Sequence, residues 1–115
     1  MAITEAFTGT ETVSSTEWSM TTDTAGPDVE TSDGVFQAFI DLNALAAGDV
    51  FEFKTYEKVL SSSTQRLVYS ARFAGAQGSA NWTSPSLILM NGWDMTLKKI
   101  SGTDRSIDWS IRKVA

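Results

Sequence analysis

Three carboxylates near the C-terminus are the residues with the clearest potential for catalysis. Asp94, Asp104 and Asp108 fall within one predicted hairpin, Asp104 in its loop, and two carboxyl groups that flank a glycosidic bond can hydrolyse it. Asp94 and Asp108, however, lie in the polar phase of their strands, where an aspartate is simply solvated. We therefore predict surface carboxylates here and keep glycoside hydrolysis as the weaker alternative.

Other kinds of catalysis lack their usual residues. The chain contains no histidine and no cysteine. A zinc site would depend on carboxylates alone, and both the common general base and the thiolate nucleophile are missing from the sequence. A hydroxyl activated by Lys58 is formally allowed, but no motif supports it. We predict that the protein is not an enzyme and needs no cofactor.

An acidic stretch near residue 30 carries the type of ligand that calcium prefers. Asp23, Asp28, Glu30 and Asp33 supply oxygen atoms. Their spacing does not match the twelve-residue loop of an EF-hand, and acidic loops without a metal are common. We predict a solvated loop and no metal site, with calcium as the alternative.

Four tryptophans stand out in a chain of this length, because aromatic side chains form sugar-stacking platforms and interface hot spots. Trp93 and Trp109 share the apolar phase of their strands and are predicted to lie in the core. Trp82 lies beside a loop of small residues and near Pro85. It is the better interface candidate.

Length and charge narrow the remaining classes. A chain of 115 residues is the usual size of one domain. Its net charge of −5 argues against general binding to nucleic acid, which depends on Lys and Arg. The first residues have neither the basic nor the apolar region of a secretory signal, and no apolar run approaches the length of a membrane span. We expect no nucleic-acid partner and no membrane partner.

The N-terminal third differs in composition from the rest of the chain. Residues 1–34 are rich in Thr, Ser, Glu, Asp and Gly and contain few large apolar residues. We predict an extended N-terminal arm or an edge strand, ordered by its partners. Its apolar residues are then candidates for an interface, namely Ile3, Phe7, Val13 and Trp18.

Residues 35–115 read as short strands separated by turns. The pattern predicts a buried strand at 35–40 and one short helical turn at 42–47. It predicts two hairpins, one of residues 50–60 with 66–73 and one of residues 93–98 with 107–112. Between them lies a strand at 82–90 that Pro85 interrupts. About seven such strands without a 3.6-residue period indicate an all-β fold. We predict an antiparallel, jelly-roll-like β-sandwich.

Several segments resemble small structural proteins of tailed bacteriophages. They are DLNALAAGD at 41–49, NGWDMTLK at 91–98, GTDR at 102–105 and WSIR at 109–112. Within that group the chain resembles head decoration proteins, also called capsid cement proteins. The resemblance covers residues 35–115.

The resemblance implies a binding surface in place of an active site. It implies a virion structural protein that assembles in the bacterial host cytoplasm, forms a homotrimer and binds the major capsid protein on the outer capsid surface. Two alternatives stay open: another virion component, such as a tail or fibre module, and a carbohydrate-binding module.

Overall fold

The structure is a computed structural model that describes residues 2–114. Ten strands make up most of it. They are β1 (Ile3–Val13), β2 (Trp18–Ser19), β3 (Thr24–Ala25), β4 (Gly34–Asp41), β5 (Val50–Glu57), β6 (Arg66–Ala74), β7 (Asn81–Thr83), β8 (Leu87–Leu89), β9 (Asp94–Ser101) and β10 (Arg105–Val114).

The strands form two antiparallel sheets that pack together as a sandwich. The first sheet has the order β1-β10-β4-β7, with β8 also paired to β4, and the second has the order β3-β2-β9-β5-β6. The pairs are nested, since β1 pairs with β10, β2 with β9, and β5 with β6. This nesting is the topology of a jelly roll, so the predicted fold class is confirmed.

The core lies between the sheets and takes one face from each. The first sheet contributes alternate residues of β4 and β10, including Phe36, Ile40 and Ile111, and the second contributes Phe53 and Leu97 from its central strands. Alternation of buried and exposed residues follows from the two-residue period of a strand. The predicted β5–β6 hairpin and the break at Pro85 are confirmed.

The predicted hairpin of residues 93–98 with 107–112 is wrong. β9 pairs with β2 and β5 in the second sheet, whereas β10 pairs with β1 and β4 in the first. The loop at 102–104 therefore crosses between the sheets. Two amphipathic strands bury the same alternate residues whether they lie side by side or face each other across a core, so the pattern alone could not separate these arrangements.

The predicted helical turn is also wrong, because hydrogen-bonded turns replace it and residues 2–114 contain no helix. Leu42 and Leu45 are buried and fix this crossover between the sheets. The Asp49 N–H donates to the Ala46 carbonyl to form the second of these turns, and the Asp49 carboxylate accepts the Ala46 N–H at 2.9 Å. Among the described residues, then, no helix could cross a membrane.

Asp49 also ties the same crossover to the loop between β9 and β10. Its carboxylate accepts hydrogen bonds from Arg105 Nε at 2.7 Å and from the Thr103 N–H at 3.0 Å. The Arg105 hydrogen bond, followed by the backbone donors, lowers the pKa of Asp49 to about 2. Gly102 adjoins this carboxylate at a φ of 95°, where a side chain would meet Asp49 Oδ1. The two connections between the sheets are thus joined to each other.

Candidate interaction surface

The carboxylate predicted to be solvated on β9 is buried, which corrects the prediction for Asp94. Its exposed fraction is 0%. It accepts hydrogen bonds from Thr21 Oγ1 at 2.7 Å, from the Asp28 N–H at 2.8 Å and from the Met95 N–H at 2.9 Å. Burial raises the pKa of Asp94, against the effect of these hydrogen bonds. Its role is to hold the segment 20–28 on the second sheet.

The other two C-terminal carboxylates lie away from Asp94. Asp104 is exposed and forms an ion pair with Lys99. Asp108 is exposed on the first sheet and accepts a hydrogen bond from Thr10 Oγ1 at 2.7 Å. Asp94 and Asp108 therefore belong to different sheets, and they do not flank a common cleft as a glycosidase pair would.

Three of the four acidic residues near residue 30 accept hydrogen bonds from neighbouring groups, and the fourth, Asp33, is exposed. Asp23 accepts a hydrogen bond from Trp18 Nε1 at 2.9 Å, and Asp28 accepts one from Thr24 Oγ1 at 3.0 Å. Glu30 accepts the Ser32 N–H at 3.1 Å. Within residues 2–114, no three acidic side chains come together in a group that could hold a metal ion.

The outer face of the second sheet is covered partly by the chain itself. Glu17 accepts hydrogen bonds from the Tyr56 hydroxyl and from Thr96 Oγ1. Burial, followed by the nearby Glu17 carboxylate, raises the pKa of Tyr56. Farther along the sheet, Glu52 forms ion pairs with Lys54 and Arg72. This face presents polar groups that already have partners.

All four tryptophans are engaged inside the molecule. Trp93 is buried and packs 4.4 Å from the Phe36 ring, measured between centroids. Trp109 is buried and donates from Nε1 to the Met20 carbonyl at 3.0 Å. Core positions were predicted for both and are observed.

The two tryptophans predicted to lie at an interface are half-buried. Trp82 packs against Phe53 and Phe73, with centroids 5.2 and 4.9 Å apart. Trp18 packs against the core and donates to Asp23. Neither ring lies free on the surface as a sugar-stacking platform requires.

The other three N-terminal interface candidates differ from one another in exposure. Ile3 is 68% exposed, whereas Val13 is fully buried in the core. Phe7 is half-buried and meets the Trp93 ring edge-on at 5.9 Å. Residues 3–13 form the edge strand β1 of the first sheet, and β2 and β3 belong to the second. Of the three, Ile3 alone presents most of its surface to solvent.

An apolar row crosses the outer face of the first sheet near one end. Ile3 lies opposite Val114, Val114 opposite Val35, and Val35 opposite Ile88. Residues that are directly opposite in an antiparallel sheet share a face. Ile88 is 79% exposed, and Val35 and Val114 are half-buried. We call these four residues the apolar row; it spans strands β1, β10, β4 and β8.

Apolar surface continues past the row at the same end of the sandwich. Met90 lines one shallow depression together with Val35 and Ile88. Beyond it, Asn91 Nδ2 donates to the Val59 carbonyl at 3.1 Å, which holds the β5–β6 loop against this end. Val59 is 84% exposed. Several exposed apolar side chains at one end of a domain are typical of an interaction site.

Charged groups border the apolar row. Glu5 lies opposite Arg112 in the next position along the sheet. The Arg112 guanidinium lies 3.8 Å from the centroid of the Phe39 ring, and Glu5 accepts a hydrogen bond from Ser110 instead of forming an ion pair. Within the described part of the chain, Arg112 has no carboxylate partner. This arrangement is an apolar centre with a charged rim, as in protein interfaces.

Sequence reasoning identified one member of the row, Ile3, and missed the other three. Val35 carried a usable signal, since it alternates with buried Phe36 on a short strand. Ile88 lies in an apolar run, where period gives no information about which side is exposed. Val114 lies just beyond the predicted strand of residues 107–112, so the pattern did not place it on a surface.

Three comparisons with known proteins complete the description of the site. No family model matches the chain, and neither the curated proteins nor the solved structures contain a significant match.

Proposed function

We propose that the protein is a virion structural protein that binds the outer surface of a tailed-phage capsid as a decoration protein. The observation that carries the proposal is the apolar row, an exposed hydrophobic strip on the first sheet. The polar groups on the outer face of the second sheet, by contrast, already have partners within the chain. A decoration protein needs such an attachment surface and no catalytic group. Its partner would be the major capsid protein.

The fold is compatible with this role, because jelly rolls occur in viral capsid proteins and in lectins. Fold alone does not define function, so the proposal depends on the surface and on the resemblance of residues 35–115. A homotrimer on the virion is the oligomer that the resemblance implies. A tail or fibre module would use the same kind of surface at a lower copy number.

A carbohydrate-binding module is the less favoured alternative. Its usual platform is an exposed aromatic ring, and the tryptophans are engaged internally. Phe39 lies in a shallow depression with Asp41, Asn81 and Asp108, but Arg112 covers its ring. A sugar would have to displace the guanidinium before it could stack.

The copy number of the protein in purified virions tests the proposal. Quantitative mass spectrometry should find it at hundreds of copies per particle if it decorates the capsid. A few copies per particle would favour a tail or fibre component. Absence from virions, together with binding to a glycan array, would contradict the proposal and favour the carbohydrate-binding alternative.

Substitution of Ile88 tests the surface itself. Undecorated capsids should bind the natural protein and should fail to bind the Ile88→Asp variant, because a carboxylate in the row cannot be desolvated without cost. Ile100→Asp is the matched control, since Ile100 is an exposed isoleucine on β9, outside the row. Equal binding by both variants would show that the row is not the attachment surface.

A further inference from the structure

The two sheets each leave one long strand edge unpaired. β1 has 11 residues and lies at the edge of the first sheet; β6 has 9 residues and lies at the edge of the second. The other edge strands in residues 2–114 are β3, β7 and β8, which have only two or three residues. A long free edge exposes a row of backbone donors and acceptors that can pair with another chain.

The charges on the two long edges are opposite in sign. β1 carries Glu5 and Glu11 and no basic residue, whereas β6 carries Arg66 and Arg72 and no acidic residue. In both strands the two charged residues are six positions apart in the sequence. The acidic spacing of one edge therefore matches the basic spacing of the other.

A β-bulge in each strand places its two charges on opposite faces. In β1 the register shifts between Glu5 and Phe7, so Glu5 shares the outer face with Arg112 and Glu11 lies opposite buried Ile107. In β6 the corresponding shift leaves Val68 without a partner on β5. Arg72 lies opposite Glu52 on the outer face, and Arg66 is turned to the other side.

One antiparallel register between β1 of one copy and β6 of another satisfies all of these features. Glu5 then lies opposite Arg72, and Glu11 lies opposite Arg66, with the two bulged residues left over. The residues between these two pairs match as well. Each core-side residue of β1 lies opposite a core-side residue of β6, and each outer-side residue lies opposite an outer-side residue. The pairs are Phe7 with Ala71, Thr8 with Ser70, Gly9 with Tyr69, and Thr10 with Leu67.

We propose that copies of this protein associate head to tail, with β1 of one copy pairing antiparallel to β6 of the next. The two edges lie on opposite sides of the sandwich. β7 is at the far edge of the first sheet from β1, and its Trp82 packs on Phe73 of β6. Such a contact uses two different patches, so it forms a ring where the rotation closes and a filament where it does not.

Charges and bulges on edge strands also have a protective use, because they keep edges from pairing at random. Protection alone requires only that charges be present. It does not require that the two edges carry opposite charges, that the charges have the same spacing, or that the two bulges place paired residues on the same side of the sheet. That agreement favours pairing between β1 and β6. The contact needs no capsid and would form between free copies in solution.

Sedimentation velocity of the full chain tests the contact, and charge reversal identifies the edges. The natural protein should form species heavier than the 12.5 kDa monomer as its concentration rises, and high salt should weaken them by screening exposed charges. Glu5→Arg/Glu11→Arg and Arg66→Glu/Arg72→Glu should each weaken association about tenfold or more. An equimolar mixture of the two variants should restore it, since each again offers an edge of opposite sign.

Two further variants separate this contact from general effects. Asp33→Arg/Asp41→Arg changes the net charge as much as the β1 variant does, but at exposed positions that lie on neither edge strand, and should associate normally. Arg66→Glu alone keeps the Glu52–Arg72 ion pair and should still weaken association. A natural protein that stays monomeric in low salt, or variants that associate normally, would overturn the proposal. Capsid binding by a monomeric protein would leave the proposed function standing.

Discussion

The outer faces of the two sheets differ in how far other parts of the chain cover them. The outer face of the second sheet is partly covered by side chains and loops of residues 17–28, and its buried carboxylate and its ion pairs find their partners within the molecule. Within residues 2–114 the first sheet has no such cover, and it presents the apolar row beside Arg112, a cation without a carboxylate partner in the same range. One face therefore stabilises the monomer, and the other remains available for binding.

The largest expected effect comes from removing β1, the strand that begins the uncovered sheet. Deletion of residues 1–11 should lower the free energy of unfolding by at least about 4 kcal/mol, because it removes Phe7, uncovers Trp109 and leaves β10 as an edge. Urea denaturation followed by tryptophan fluorescence measures this loss.

A chain shortened to begin at Ile3 is the matched control and should unfold like the natural protein, since β1 is intact. An 11-residue deletion with unchanged stability would instead support the prediction that these residues are an arm ordered by a partner.

The second effect concerns the covered face. Asp94→Ala should cost about 2–3 kcal/mol, because it leaves the hydroxyl of Thr21 and the N–H of Asp28 without their buried acceptor. Chemical denaturation is the measurement. Asp108→Ala, on the exposed face, should change stability by less than about 0.5 kcal/mol. Equal losses in the two variants would show that the faces do not differ in this respect.

The third effect concerns the link between the sheets at Asp49, and it depends on pH. The pKa of Asp49 is lowered from 3.8 to about 2 by its hydrogen bond to Arg105 and by backbone donors. A lowered pKa in the folded state contributes stability that is full above pH 3.8 and is lost as the pH falls towards 2.

Asp49→Asn should therefore be less stable than the natural protein near neutral pH, and the difference should shrink on acidification through that range. Thermal midpoints of the variant and the natural protein, measured from neutral pH downwards, follow this difference in stability. A difference that stays constant with pH would rule out the charge on Asp49 as its source.

The smallest expected effect on stability is at the apolar row. Ile88→Ser should change the free energy of unfolding by less than about 0.5 kcal/mol, since the side chain is largely exposed. Ile111→Ser, a buried position on the same sheet, is the contrasting variant and should cost several times more. A large loss at Ile88 would mean that the row serves the monomer and not a partner.

The sequence predicted the fold class because strand period and turn residues are local properties. Alternating residues in β5 and β10 showed which side chains would be buried, the apolar run at 35–40 predicted the strand β4, and Pro85 marked a break that the structure contains. The absence of histidine and cysteine limited the possible chemistry from composition alone. These inferences need no knowledge of which strand meets which.

The tertiary structure decided what depends on partners distant in sequence. It placed β9 and β10 in different sheets, buried Asp94 beneath residues 20–28 and made the segment 42–47 a pair of turns between the sheets. It also aligned Ile3, Val35, Ile88 and Val114 in one row. Strand order and register bring together residues that are more than a hundred positions apart, such as Ile3 and Val114, and a local pattern carries no information about that choice.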